Sequence, residues 1–146
     1  LAPRRPEPFP VRFLFSLALG TFAPVFGAAL WGLAGYFSDR VYALLGLLIG
    51  AGTSAAILLP LRPISKRTAL LLLPVVILAT LSSICLGELA HTVLFMMRDF
   101  NSSLAEAVVS VAKSMGVILT APDSILSGIL GLIGVTTGFF SVWQYL

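Results

Sequence analysis

The chain has 146 residues, one domain's length, of which 58% are hydrophobic and only 10% charged, a balance that excludes an ordinary water-soluble globule. Nine basic against six acidic residues leave a net charge of +3, but the basic residues flank apolar runs and line no polar face, so they read as membrane-topology signals and no nucleic-acid partner is expected. A single cysteine, Cys85, and a single histidine, His91, exclude an internal disulfide, a cysteine-only metal cage and a bis-histidine haem held within the chain.

Residues 1–12 form a proline-rich basic tail, with four prolines between Leu1 and Pro10, a composition that favours extended backbone. Such a tail is expected to rest on a neighbouring subunit or on this chain's own loops. The missing initial methionine fits a processed or truncated start. From residue 13 to 146 a single membrane domain is expected. Its apolar runs are long and continuous, which predicts transmembrane helices and not the short alternating segments of a barrel. The first span is expected over about 13–37, softly broken by Pro24 and closed by Asp39 and Arg40. The second covers 41–61 and ends at Pro60, Arg62 and Pro63, a turn signal before Lys66 and Arg67. The third, 68–97, is longer than one membrane thickness and must tilt or protrude before Arg98 and Asp99 end it.

Residues 101–119 are too interrupted by Glu106, Ser110 and Lys113 to cross a membrane. Leu104, Val108, Val111, Met115, Ile118 and Leu119 recur at helical spacing and form one apolar stripe, and Ser103 with Glu106 fits a capping box. An amphipathic helix in the membrane interface or packed over the bundle is expected, the two being compatible. Asn101, Ser102 and Ser103 also match a glycosylation sequon. Thr120 with Pro122 and Asp123 restarts helix for a last span over 124–146, with Trp143 and Tyr145 at headgroup level. The fold expected is therefore all-α: a polytopic bundle of four transmembrane helices plus one interfacial amphipathic helix. Arg4, Arg5, Arg12, Arg62, Lys66 and Arg67 fall on one side and Arg40, Arg98 and Lys113 on the other, so both termini are expected on the inner, positive side of a bacterial cytoplasmic or an organellar membrane.

Small residues stand at close-packing distances in three spans: Ala28 with Gly32, then Gly46, Gly50 and Ser54, then Gly134 with Gly138. These mark faces where helices meet, within the bundle in preference to a foreign helix. Glu88 and His91 are the ionisable pair of the third span, an intramembrane feature that carries functional weight, and Thr80, Ser83, Gly87 and His91 share one helical stripe that reads as a polar helix contact. An acid followed three residues later by histidine is half of a di-iron site, but the other half is missing and no metal is expected. By position, about 20 residues from Thr68 reach only Gly87, which places Glu88 and His91 at a wet outer rim. His91 is the one candidate cofactor ligand, to a pigment or haem shared with a partner; no resident cofactor is expected. No nucleophile elbow, phosphate loop or metalloprotease signature is present, and no enzyme is expected.

Gly27, Ala28, Trp31 and Gly32 followed by Tyr36, then Gly46 and Gly50, and Asp123 opening a last span with Gly138 and Phe139, resemble small four-span bacterial integral membrane proteins of unassigned function. Some of those carry an amino-terminal zinc ribbon, which this chain lacks. The resemblance implies a fold and no activity.

The function expected is a non-catalytic accessory or structural subunit of a larger membrane protein complex, its partners being the lipid bilayer and other membrane subunits. The alternatives are a small oligomeric transporter or channel using Glu88 and His91, and a pigment- or haem-binding subunit using His91.

Overall fold

The structure is a computed structural model describing residues 9–38 and 43–144. Arg4, Arg5, Asp39, Arg40, Tyr145 and most of the proline-rich tail lie outside the described residues. Within them the chain is helical almost throughout: α1 Phe9–Ser38, α2 Ala43–Leu58, a 3-10 turn Leu59–Leu61, α3 Lys66–Asp99, α4 Leu104–Leu119 and α5 Pro122–Trp143. Four segments, Phe9–Phe37, Leu44–Leu61, Lys66–Asp99 and Pro122–Trp143, are long and apolar enough to cross a membrane.

Local chemistry explains where these helices start and stop. α1 begins at Phe9, inside the segment expected to be tail, with Pro10 in its first turn, where a proline's missing N–H has no intrahelical partner to lose. It then runs through Pro24 as one 30-residue helix. Ser65 starts α3, its hydroxyl accepting from the Thr68 N–H at 3.1 Å. Ser103 and Glu106 form the capping box at the start of α4, Ser103 N–H donating to the Glu106 carboxylate at 2.9 Å while the Ser103 hydroxyl accepts from the Glu106 N–H. Thr120, expected to cap α5, ends α4 instead. Its hydroxyl bonds back to the Gly116 carbonyl at 2.8 Å, the local preference of a threonine in a helical turn, and Ala121 stands as N-cap with Pro122 following.

α1 and α3 run side by side in the same direction, since Ser83 meets Pro24 and, further along, Arg98 meets Tyr36. α2 runs opposite to α1, with Ile57 beside Ser16 and Gly20 and Ile49 beside Gly27. α5 runs parallel to α2. One end of the bundle thus carries Arg12, Arg62 and Lys66, and the other Asp99, Glu106 and Asp123.

The α2–α5 pair is the tightest. A Cβ on Gly46 would lie 2.5 Å from the Ser127 carbonyl oxygen, one on Gly50 2.7 Å from the Val135 nitrogen, one on Gly134 2.9 Å from the Leu47 Cα, and one on Gly138 2.8 Å from the Ala51 Cα. Backbone touches backbone along the whole seam. Ser54 joins it by donating to the Val135 carbonyl at 3.2 Å. At the Arg62 end, Leu58, Ala69, Phe139 and Val142 close a small core, and Ile57, Val76 and Val135 close another.

Beside these apolar cores, polar side chains lie inside the bundle and many large apolar ones lie outside. Ser16, Thr53, Ser54, Thr80, Ser83, Glu88 and Ser127 are buried, whereas Phe15, Phe22, Leu44, Leu71, Leu78 and Phe140 face outward. α4 packs on α3 and buries Ala107 and Val111, while Leu104, Val108, Val109, Met115 and Val117 stay exposed.

Gly50→Ala should push α2 off α5 and destabilise the bundle by about 1–3 kcal/mol, the usual range for overpacking. Gly52→Ala, where nothing lies within 4 Å of the added carbon, should leave thermal unfolding in detergent unchanged. Equal losses at both positions would disprove backbone contact as the cause. At the α4 cap, hydrogen bonds from Ser103 hold the Glu106 carboxyl below its ordinary range. A depressed folded-state value means the cap's contribution is full above the unfolded carboxyl's range and is lost as pH falls through the folded value. Amide chemical shifts of residues 104–107 should move toward coil on acidification, and Glu106→Gln should abolish that pH dependence.

Candidate functional site

The polar stripe of α3 faces α1, and the geometry there follows from small residues on both helices. Ser83, fully buried, donates to the Pro24 carbonyl at 2.8 Å. A Cβ on Gly27 would lie 2.6 Å from the Ser83 Oγ, and one on Gly87 2.7 Å from the Trp31 Cβ. Gly87 therefore makes the recess into which Trp31 fits, leaving the indole 1% exposed. One residue on, Glu88 is 5% exposed, and the Trp31 indole N–H is the hydrogen-bond partner of its carboxyl. The carboxyl's Oε1 is buried without a hydrogen-bond partner, as is the Thr80 hydroxyl.

His91 packs on Gly35, where an added Cβ would stand 2.8 Å from both its Cγ and its Nε2. One side of the imidazole thus packs on α1 in the α1–α3 seam, and the residue is half-buried. Thr92 turns back to its own helix, donating to the Glu88 carbonyl at 2.9 Å. Beyond it, Arg98 closes the seam: it donates to the Tyr36 carbonyl at 2.7 Å, pairs with Asp99 at 2.6 Å and lies 5.4 Å from the Tyr36 ring centroid.

For Glu88, 5% exposed, the expectation of a wet position is corrected by this arrangement. α3 becomes bare near Arg98, not at Gly87, because α1 accompanies it to Tyr36. Trp31, on the part of α1 that accompanies α3 to Tyr36, packs on Gly87 and covers Glu88. His91 is half-buried.

Of the residues expected at helix contacts, Ala28 is buried, and a Cβ on Gly32 would lie 3.3 Å from the Ala90 Cβ. Gly46, Gly50, Ser54, Gly134 and Gly138 all come together on the α2–α5 seam. Thr80 is buried toward α5, its Cγ2 3.4 Å from where a Gly131 Cβ would be. Sequence reasoning placed Gly87 on the polar stripe but overlooked Gly35, Ser127 and Gly131 as contact residues, and named Gly27 only in the resemblance. The signal available was the three-residue step: Ser127, Gly131, Gly134 and Gly138 share one face only if steps of four and three alternate, as a helical stripe requires. Gly20, Pro24, Gly27, Trp31 and Gly35 follow the same rule on α1.

Among the described residues no three of His, Cys, Asp and Glu come close enough to hold a metal ion. Cys85 is a free, half-buried thiol. What the geometry defines is a class: an all-helical bundle with four helices long and apolar enough to cross a membrane, compatible with an integral membrane protein. No family model, curated protein or solved structure matches the chain.

Trp31→Ala should destabilise the bundle by about 3–5 kcal/mol through the cavity it leaves. Trp31→Phe keeps most of the ring but strands the Glu88 carboxyl, at about 1–3 kcal/mol. In the Glu88→Met background, where no side-chain oxygen remains to accept from the indole, the loss from Trp31→Phe should shrink, and an unchanged loss in a double-mutant cycle measured by unfolding would refute the Trp31–Glu88 coupling.

Proposed function

We propose that the chain is an integral membrane protein with a non-catalytic, structural role, an accessory subunit of a larger membrane assembly. The observation that carries this reading is the closed interior. Gly50 against Gly131, Gly134 against Leu47 and Gly138 against Ala51 bring α2 and α5 into backbone contact, and Ser83 and Ser54 spend their hydroxyls on carbonyls of neighbouring helices. An interior built this way serves to hold a shape. The outward faces of all four long helices carry large apolar side chains, suited to lipid and to neighbouring subunits.

The same reading places the Arg12, Arg62, Lys66 and Arg67 end on the inner side, with both termini there, following the bias of basic residues toward that side. It lays α4 in the opposite interface, where the exposed Leu104, Val108 and Met115 meet acyl chains while Glu106 and Lys113 remain in water.

A second reading, a small oligomeric transporter or channel, is favoured by one feature: the buried Glu88 carboxyl with an oxygen that no protein group satisfies. Ionisable groups at such depth are costly and are retained where they act.

Gentle solubilisation of the native membrane separates the two. A stoichiometric set of other subunits should migrate with the chain, and a lone monomer or homo-oligomer would count against the accessory role. The transporter reading requires that Glu88→Gln with His91→Gln abolish flux in reconstituted vesicles; persistence of flux removes it.

A further inference from the structure

Two apolar grooves flank α1, and among the described residues one of them has an arginine held beside its end. The groove between α1, the end of α2 and α3 encloses about 450 Å³, within the range of about 300–1,000 Å³ typical of small-ligand sites. Phe13, Leu17, Pro24, Leu61, Leu72 and Val75 supply much of its wall. From Phe13 to Pro24 it follows α1 for roughly 16 Å of helical rise, the shape of an alkyl chain lying along a helix.

Arg12 stands one turn before Ser16 on the same face of α1. Ser16 donates to the Ile57 carbonyl at 2.6 Å, and the Arg12 guanidinium donates through Nη1 to the Arg62 carbonyl, beside the lining residue Leu61. The guanidinium is therefore held at the groove's end. Its Nε is buried with no hydrogen-bond partner among the described residues, so the protein leaves one donor of this cation unsatisfied beside the groove's end. Arg62 is engaged elsewhere, donating to the Val142 carbonyl at 3.4 Å, and adds a second positive charge beside the first. Every carboxylate side chain among the described residues, Glu88, Asp99, Glu106 and Asp123, lies on α3 beyond Gly87, on α4 or at the start of α5, away from this end.

We propose that this groove binds a phospholipid with an anionic headgroup, one acyl chain lying between α1 and α3 and the phosphate accepting from Arg12. The pairing of an alkyl-shaped slot with a guanidinium held beside its end names the ligand class: apolar wall for the chain, a nearby cation for the phosphate. Basic pockets between helices near a membrane surface take acidic headgroups for this reason. The second groove, lined by Phe22, Phe26, Leu30, Leu45 and Leu48 beside Gly52, has no charged lining residue and would take lipid without headgroup preference.

Native mass spectrometry of the whole chain, released from detergent micelles containing equal phosphatidylglycerol and phosphatidylcholine, tests the proposal. Phosphatidylglycerol should be retained about fivefold over phosphatidylcholine, the preference of about one well-placed charge. Arg12→Gln should bring the two to parity while Arg12→Lys keeps part of the preference. Thr21→Phe, a substitution at an exposed lining position, should fill the groove and lower retention of the lipid without unfolding the bundle. Arg67→Gln, at an exposed position on the same end, should leave the preference intact. Equal retention of the two lipids by the unaltered chain overturns the proposal. So does a loss in Arg67→Gln as large as in Arg12→Gln, which would mark diffuse surface charge, or displacement of the lipid by glycerol phosphate as readily as by a short-chain phosphatidylglycerol. None of these outcomes bears on whether the chain works as an accessory subunit.

Discussion

Contact between the backbones of α2 and α5 is the constraint on which the rest of the bundle depends. Lipid is as apolar as leucine, so helices in a membrane gain little by hiding apolar side chains from it, and association falls to close packing and interhelical hydrogen bonds. Glycine on both partners lets the two helix axes approach until carbonyls and Cα atoms meet, and Gly46, Gly50, Gly134 and Gly138 do this over three turns. With that pair locked, the positions available to α1 and α3 are narrow. They meet each other by a looser version of the same device, in which Gly87 receives Trp31 and Gly35 receives His91.

The buried polar groups follow a complementary rule. A hydroxyl inside the bundle has no water to turn to, so it bonds to a carbonyl of its own helix or of a neighbour: Ser127 to Asp123 at 2.7 Å, Ser54 to Gly50 at 2.9 Å, Ser83 across to Pro24, Ser16 across to Ile57. The bonds that cross between helices also pin their register, since a slip by one residue would leave each donor facing a side chain. Against this economy the exceptions stand out. The Glu88 Oε1 and the Thr80 hydroxyl are left without partners in the interior, and the Arg12 Nε at one end. Each costs more in a low-dielectric setting than in water, and two of them, Glu88 and Arg12, carry functional arguments.

Much of the architecture was visible in the sequence, and the reasons are physical. Four apolar runs, the Pro60 to Pro63 turn and the Ser103–Glu106 box depend on local composition and short-range hydrogen bonds, which need no knowledge of neighbours. Thr120 shows the limit of that approach. A threonine before Pro122 reads as an N-cap, yet the same hydroxyl satisfies the end of the preceding helix, and local sequence does not rank the two. The contact faces were half read: four-residue steps exposed Gly46, Gly50, Gly134 and Gly138, whereas Gly131 and Gly35 belong to stripes whose partners lie about 80 and 55 residues away.

The sequence by itself determined that the chain forms long apolar helices, where they break, and which of their faces are small enough for close approach, because hydrophobicity, proline and glycine act through the chain's immediate neighbourhood. Only the tertiary structure decided that Glu88 is buried beneath Trp31, that His91 lies in a helix seam and that Arg12 reaches the carbonyl of Arg62. Those facts depend on how far α1 runs beside α3 and on the placement of the turn after α2 against α1. Such distances are set by packing between segments remote in sequence, and no local pattern encodes them.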